Sequence, residues 1–123
     1  MERCMILDAS SVIRKVTKRI LTDENLMLIE AESGAQALSM AAAQMPDYII
    51  VDTGVSDFNV EDLIRKLRKM DRNSQTKIIA CMTQVDLVAM TRAKRAGADD
   101  FMLKPFDRKS LLGQFRGMER VAA

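Results

Sequence analysis

The chain has 123 residues and a mass of 13.8 kDa, with 48% apolar and 29% charged residues. That length fits one domain over 1–123, and the composition excludes a disordered or fibrous chain. Lys and Arg number 19 against 17 Asp and Glu, a net charge of +2, too small to mark a nucleic-acid binder by bulk charge. The absence of histidine excludes Ser-His-Asp and Cys-His nucleophile pairs, histidine metal ligands and an internal phosphohistidine. Cys4 and Cys81 form no CxxC pair and each sits in an apolar run, which predicts buried reduced thiols. No apolar run is long enough to span a membrane, and the amino terminus lacks a signal-peptide core, so the expectation is a cytoplasmic protein.

Cys4-Met5-Ile6-Leu7 is unbroken apolar sequence too short for a helix and predicts a first strand. Asp8-Ala9-Ser10-Ser11 follows, with a serine placed to cap the next element. Val12, Ile13, Val16, Ile20 and Leu21 keep helical spacing against Arg14, Lys15, Lys18 and Arg19, which predicts the first helix. Leu26-Met27-Leu28-Ile29 predicts the second strand, and Ala35 to Met45 the second helix, opened by Ser33-Gly34 and stopped by Pro46. Tyr48-Ile49-Ile50-Val51 predicts a third strand ending in Asp52.

Leu63, Ile64, Leu67 and Met70 predict the third helix, with Asp57 as its N-cap and Arg65, Lys66, Arg68, Lys69 and Arg72 as a solvated face. Lys77 to Met82 predicts the fourth strand, and Leu87 to Ala96 a helix closed by Gly97. Phe101-Met102-Leu103 predicts the fifth strand, and Asp107 to about Met118 the last helix. Asp47, Asp99 and Asp100 read as turn or cap residues.

Uninterrupted apolar strands alternating with helices require a parallel sheet covered on both faces. The fold class is therefore α/β, a doubly wound (βα)5 domain with strand order 2-1-3-4-5, flavodoxin-like. Ligands of such sheets bind beyond the carboxyl ends of the strands. Those ends carry Asp8, Asp52, Met82-Thr83 and Lys104-Pro105. Two carboxylates and a hydroxyl make an oxygen-lined pocket suited to Mg²⁺, and the lysine can neutralise a phosphoryl oxygen. Pro105 pushes Lys104 to extended geometry and so holds it at the strand end.

Four segments, in this order and spacing, carry a resemblance that covers the whole chain. They are Ile6-Leu7-Asp8-Ala9-Ser10 followed by Arg14, Ala31 to Leu38, Pro46 to Asp52, and Ala96 to Phe106. The chain resembles the receiver domain of two-component response regulators, in its single-domain, chemotaxis-type form. The resemblance implies that Asp52 accepts a phosphoryl group from the phosphohistidine of a histidine kinase or phosphotransfer protein. It also implies Asp8 and Asp52 as metal-binding acids, the Gly54 carbonyl as a metal ligand, Lys104 as the phosphate-contacting lysine and Phe101 as a rotating aromatic switch. Such a domain assists only its own phosphorylation and dephosphorylation. A protein partner then reads the face of the fourth helix, fifth strand and fifth helix, with no nucleic-acid partner and no membrane span expected.

The chain departs from the family pattern at three places. Receivers usually carry two adjacent acids after the first strand, and here the second position is Ala9. A carboxylate about 5 Å from a cation is worth on the order of 3 kcal/mol at an effective dielectric of 20, before desolvation, so the expectation is weakened Mg²⁺ binding. The loop Thr53 to Val60 lacks the family's proline and later glycine. Counting 22 residues back from Lys104, the spacing in many receivers, gives Met82 as the switch position. Thr83 fills it only if the loop is one residue shorter, so both remain candidates. The alternative function is a degenerate receiver, a phosphorylation-independent interaction module created by the loss of the acid at Ala9. A flavin or nucleotide enzyme fits poorly, because Asp8-Ala9-Ser10-Ser11 offers no glycine loop for a phosphate and places a carboxylate there.

Overall fold

Each predicted apolar run becomes a strand in a computed structural model, which describes residues 1–22 and 24–113. In chain order the elements are β1 (Glu2–Leu7), α1 (Ser11–Leu21), β2 (Leu26–Ala31), α2 (Gly34–Ala43), β3 (Tyr48–Asp52), α3 (Val60–Met70), β4 (Lys77–Met82), α4 (Leu87–Ala96) and β5 (Asp100–Leu103). A fifth helix, α5, is described over 108–113. The remainder of its predicted span, to Met118, lies outside the described residues. All strand pairings are parallel and the order is β2-β1-β3-β4-β5, the topology expected from the alternation of elements.

Two-residue periodicity divides the core between the sheet faces. Met5, Leu7, Ile49, Val51, Ile78 and Ala80 pack with Ala37 and Ala41 of α2, Leu63, Ile64 and Leu67 of α3, and Ala93 and Ala96 of α4. Cys4, Tyr48, Ile50, Ile79, Cys81 and Met102 pack with Ile20 and Leu21 of α1 and Leu111 and Leu112 of α5. Both faces of the central strands are therefore dry. Cys4 and Cys81 are buried free thiols, and burial pushes each up to about 12.

Helix boundaries follow capping side chains. Ser10 Oγ accepts from the Ile13 N–H, Ser33 Oγ from Gln36, and Asp86 Oδ1 from Ala89. The N-cap of α3 is Asn59, whose Oδ1 accepts from Glu61 and Asp62 at 2.9 and 3.2 Å. This corrects the expectation that Asp57 caps α3, because the Asp57 carboxylate reaches back to α2 instead. Helix α2 stops at Ala43, before the predicted Met45, as Gln44 turns extended and closes on the Met40 carbonyl.

Arg68 is likewise half-buried and bonded, not part of a freely solvated face. Its guanidinium donates to the Thr76 carbonyl at 2.7 Å, Asp71 at 3.0 Å, Asp99 at 2.8 Å and the Gly97 carbonyl. It ties the end of α3 to the turn after α4, where Gly97 takes the positive φ of 130° that closes that helix.

Candidate functional site

Strand register places the acidic residues side by side. Leu7 pairs with Val51 across β1 and β3, so Asp8 and Asp52 stand level at the carboxyl edge of the sheet. Asp52 pairs with Cys81, Met82 pairs with Leu103, and the Lys104 N–H donates to the Met82 carbonyl at 2.7 Å. These bonds bring Lys104 to the same rim, across a cis Lys104–Pro105 peptide. Its Nζ donates to Oδ2 of Asp8 at 2.8 Å and to Oδ1 of Asp52 at 2.9 Å. The three side chains are largely removed from solvent, with 11% of Lys104, 8% of Asp8 and 14% of Asp52 exposed. Burial alone lowers the Lys104 pKa. The hydrogen bonds and charges of Asp8 and Asp52 outweigh it and hold the ammonium above the ordinary lysine value.

Backbone groups orient both carboxylates. Asp8 Oδ1 accepts from the Ser10 N–H at 2.9 Å, and the Asp8 carbonyl accepts from Arg14 Nη1 at 2.6 Å. Arg14 is itself held by Glu30 of β2, with Nε 3.0 Å from Oε1. Burial raises the Glu30 pKa, but Arg14 and Lys18 outweigh it and lower the carboxyl overall. Asp52 Oδ1 accepts a second bond, from the Gly54 N–H at 3.1 Å, while the Thr53 N–H donates to the Cys81 carbonyl at 2.9 Å. With Oδ1 doubly held, Oδ2 of Asp52 carries no hydrogen bond among the described residues.

The remaining predicted residues take different places. Gly54 joins the site through its N–H, and a side chain there would lie against the Asp52 carboxylate, with Cβ 3.4 Å from Oδ1. Met82 is the last residue of β4 and is buried at 6% exposure. Thr83, one residue beyond, is exposed and stands outside the Asp8–Lys104–Asp52 hydrogen bonds. It lines a cavity of about 260 Å³ together with Thr53, Met82 and Gln84. Phe101 of β5 is half-buried against the core and lines a second, apolar cavity of about 150 Å³ with Met82, Val85, Met90 and Leu103. Met82 is thus a wall common to both cavities.

Periodicity gave no sign of the Ser10, Arg14 and Glu30 contacts. The only sequence signal was Arg14 at a fixed distance from Asp8, since a side chain one turn into α1 can fold back over the strand end that precedes it.

The donor set at this edge fits Mg²⁺ in kind. Asp8 and Asp52 offer hard carboxylate oxygens, and Mg²⁺ is held by one or two carboxylates while keeping several waters. In number it is sparse: Ala9 supplies no oxygen, and the described residues contain no group of three or more His, Cys, Asp or Glu arranged to hold a metal. The Lys104 ammonium already balances part of the negative charge.

A family model described as the response regulator receiver domain matches residues 4–116. Chemotaxis protein CheY of Thermotoga maritima is 31% identical over 106 residues, covering 85% of this chain and 87% of that protein. The KDP operon transcriptional regulatory protein KdpE of Escherichia coli is also 31% identical, over 99% of this chain, which spans 51% of that longer protein. The structure of a CheY-like response regulator receiver domain protein from Methanospirillum hungatei superposes with a TM-score of 0.90 at 23% identity, covering 99% of this chain and 96% of that one. That likeness bears on the fold alone. No described helix is long and apolar enough to cross a membrane. The match across nearly the whole sequence, with the strand order and the convergent edge to support it, places the chain in the response regulator receiver domain family.

Proposed function

We propose that the chain is a phosphoacceptor signalling domain in which Asp52 takes a phosphoryl group from a histidine kinase or phosphotransfer protein. The observation that carries this reading is the asymmetric hold on Asp52: Oδ1 is fixed by Lys104 and the Gly54 N–H, and Oδ2 accepts no hydrogen bond among the described residues. Oδ2 attacks phosphorus, the new O–P bond forms as the donor's N–P bond breaks, and the electron pair leaves on the donor imidazole. The phosphohistidine that donates the group lies outside these 123 residues, which contain no histidine. Lys104 neutralises charge on the transferring oxygens, and the chain contributes mainly positioning and electrostatics. It acts on itself alone and turns over no separate substrate.

Asp8, Asp52 and the Gly54 carbonyl are the groups that would hold Mg²⁺, which supplies further neutralisation of phosphoryl charge when bound. The signal then passes through Met82, whose carbonyl accepts from the Lys104 N–H and which lines a cavity with Phe101. Val85, Leu87, Val88 and Leu103 expose apolar surface beside that cavity, at 63, 72, 60 and 47%. We assign this face, with α4, β5 and α5, to the downstream protein partner. Thr83, exposed one residue beyond β4, is our candidate hydroxyl for an incoming phosphoryl oxygen. A cytoplasmic setting accords with the buried free thiols.

The test is intact-mass analysis after incubation with acetyl phosphate and Mg²⁺. The wild type is expected to gain one phosphoryl group and Asp52→Asn none. Unchanged wild-type mass under saturating donor would instead favour the interaction-module reading, for which Ala9 is the specific observation.

A further inference from the structure

The loop from β3 to α3 begins at the acceptor, and its far end is fastened to another helix. Asp57 Oδ1 accepts from the Gly34 N–H at 2.9 Å, and Oδ2 from the Ala35 N–H at 2.9 Å. Both donors belong to the first turn of α2, whose amides have no partner within the helix. The positive end of the helix favours the carboxylate charge, and these backbone bonds hold Asp57 below the ordinary carboxylate range.

The adjacent residue packs equally closely. A Cβ added to Gly34 would stand 2.5 Å from the Phe58 ring and 3.1 Å from Asp57 Oδ1. Gly34 is therefore required for space, since its φ is not positive.

At the near end, the Gly54 N–H lies 3.1 Å from Asp52 Oδ1 and the Val55 N–H 3.3 Å from the Asp52 carbonyl. No proline stiffens residues 53–59. Three chain steps separate Gly54 from Asp57, at most about 10 Å when fully extended. Anchoring Asp57 on α2 therefore confines where the Gly54 amide can lie.

We infer that Asp57 is a positioning residue for the phosphoacceptor: clamped across the first turn of α2, it fixes the loop that places the Gly54 N–H on Asp52 Oδ1 and leaves Oδ2 turned toward the donor. The inference rests on Asp52 being the acceptor. A misplacement of about 1 Å at a reacting centre costs as much as about a hundredfold in rate, so loss of the clamp reaches the chemistry without touching it.

The experiment compares the full-length wild type with Asp57→Ala and Asp57→Asn by amide hydrogen exchange and by the rate of labelling with acetyl phosphate. In Asp57→Ala, exchange is expected to quicken at Gly34 and Ala35 and also at Gly54. The maximal labelling rate falls about tenfold, with the half-saturating donor concentration unchanged. Asp57→Asn, which keeps one acceptor oxygen, falls between and serves if the alanine variant does not fold. Faster exchange at Gly34 and Ala35 alone, with Gly54 and the labelling rate as in wild type, would reduce Asp57 to a cap of α2 and overturn the inference. If the wild type takes no phosphoryl group, the acceptor reading fails separately, and the Gly54 amide still reports whether Asp57 sets the loop.

Discussion

The ammonium nitrogen of Lys104 lies 2.9 Å from Oδ1 of Asp52, a residue 52 positions earlier in the chain. Parallel register brings the two together: β3 and β5 flank β4, and each ends at the same edge of the sheet. With Asp8 2.8 Å from the same nitrogen, one cation serves two carboxylates.

Lys104 therefore contributes to stability with a definite pH dependence. Its folded pKa is raised, so the contribution is complete below the ordinary lysine value of about 10.4 and is lost as pH rises through the raised value. Urea midpoints measured into the alkaline range are expected to fall more steeply for wild type than for Lys104→Met. Near neutral pH that variant should be less stable by about 1–3 kcal/mol, allowing for partial solvent screening. Parallel pH curves would show that Lys104 is not coupled to the carboxylates.

Ala9→Asp restores a second acid beside Asp8. Calorimetric titration with Mg²⁺ is expected to show affinity rising by about tenfold to a hundredfold, a fraction of the on-the-order-of-3 kcal/mol Coulomb term left after desolvation. Equal affinity in the two proteins would mean that water or another oxygen already fills that coordination position.

Arg68→Ala removes a guanidinium that satisfies Asp71, 5% exposed, and the carbonyls of Thr76 and Gly97. The expected loss is about 2–4 kcal/mol by urea denaturation, because the Thr76 and Gly97 carbonyls lose their guanidinium donor and the buried Asp71 carboxylate, still held by the Gln75 and Thr76 N–H groups, loses its cation. A loss as small as that of an ordinary exposed arginine would remove the α3–α4 tie from the account of stability.

Burial raises Cys4 and Cys81 to about 12, so thiolate is scarce at neutral pH. A thiol-reactive disulfide reagent should modify neither cysteine in the folded protein and both in urea. Rapid reaction of either thiol under native conditions would indicate that the sheet face covered by α1 and α5 opens readily.

Strands and topology were legible because burial on both faces writes unbroken apolar runs such as Tyr48 to Val51 into the sequence. The rim followed from them, since Asp52 ends β3 and Asp8 and Lys104 come directly after β1 and β5. Long-range polar bonds were not legible. Asp57 stands where a local cap of α3 is expected, yet its oxygens turn to Gly34 and Ala35, and Asn59 two residues later takes the capping role. Arg68 belongs to a basic run, but the turn after α4 draws its side chain inward. Spacing along one element reports which face is apolar and says nothing of which polar group an adjacent element will offer. Met82 illustrates the same limit: residue counting placed it at the switch position, and only the register with Leu103 reveals it buried between two cavities.

The central claim, that Asp52 is the nucleophile, is tested most directly by treating the chain with acetyl phosphate and Mg²⁺, reducing any acyl phosphate with borohydride and locating the product by peptide mass. Borohydride converts an aspartyl phosphate to homoserine, so the account predicts homoserine at position 52 and at no other aspartate. Homoserine at Asp8, or none anywhere while the donor is consumed, would contradict it.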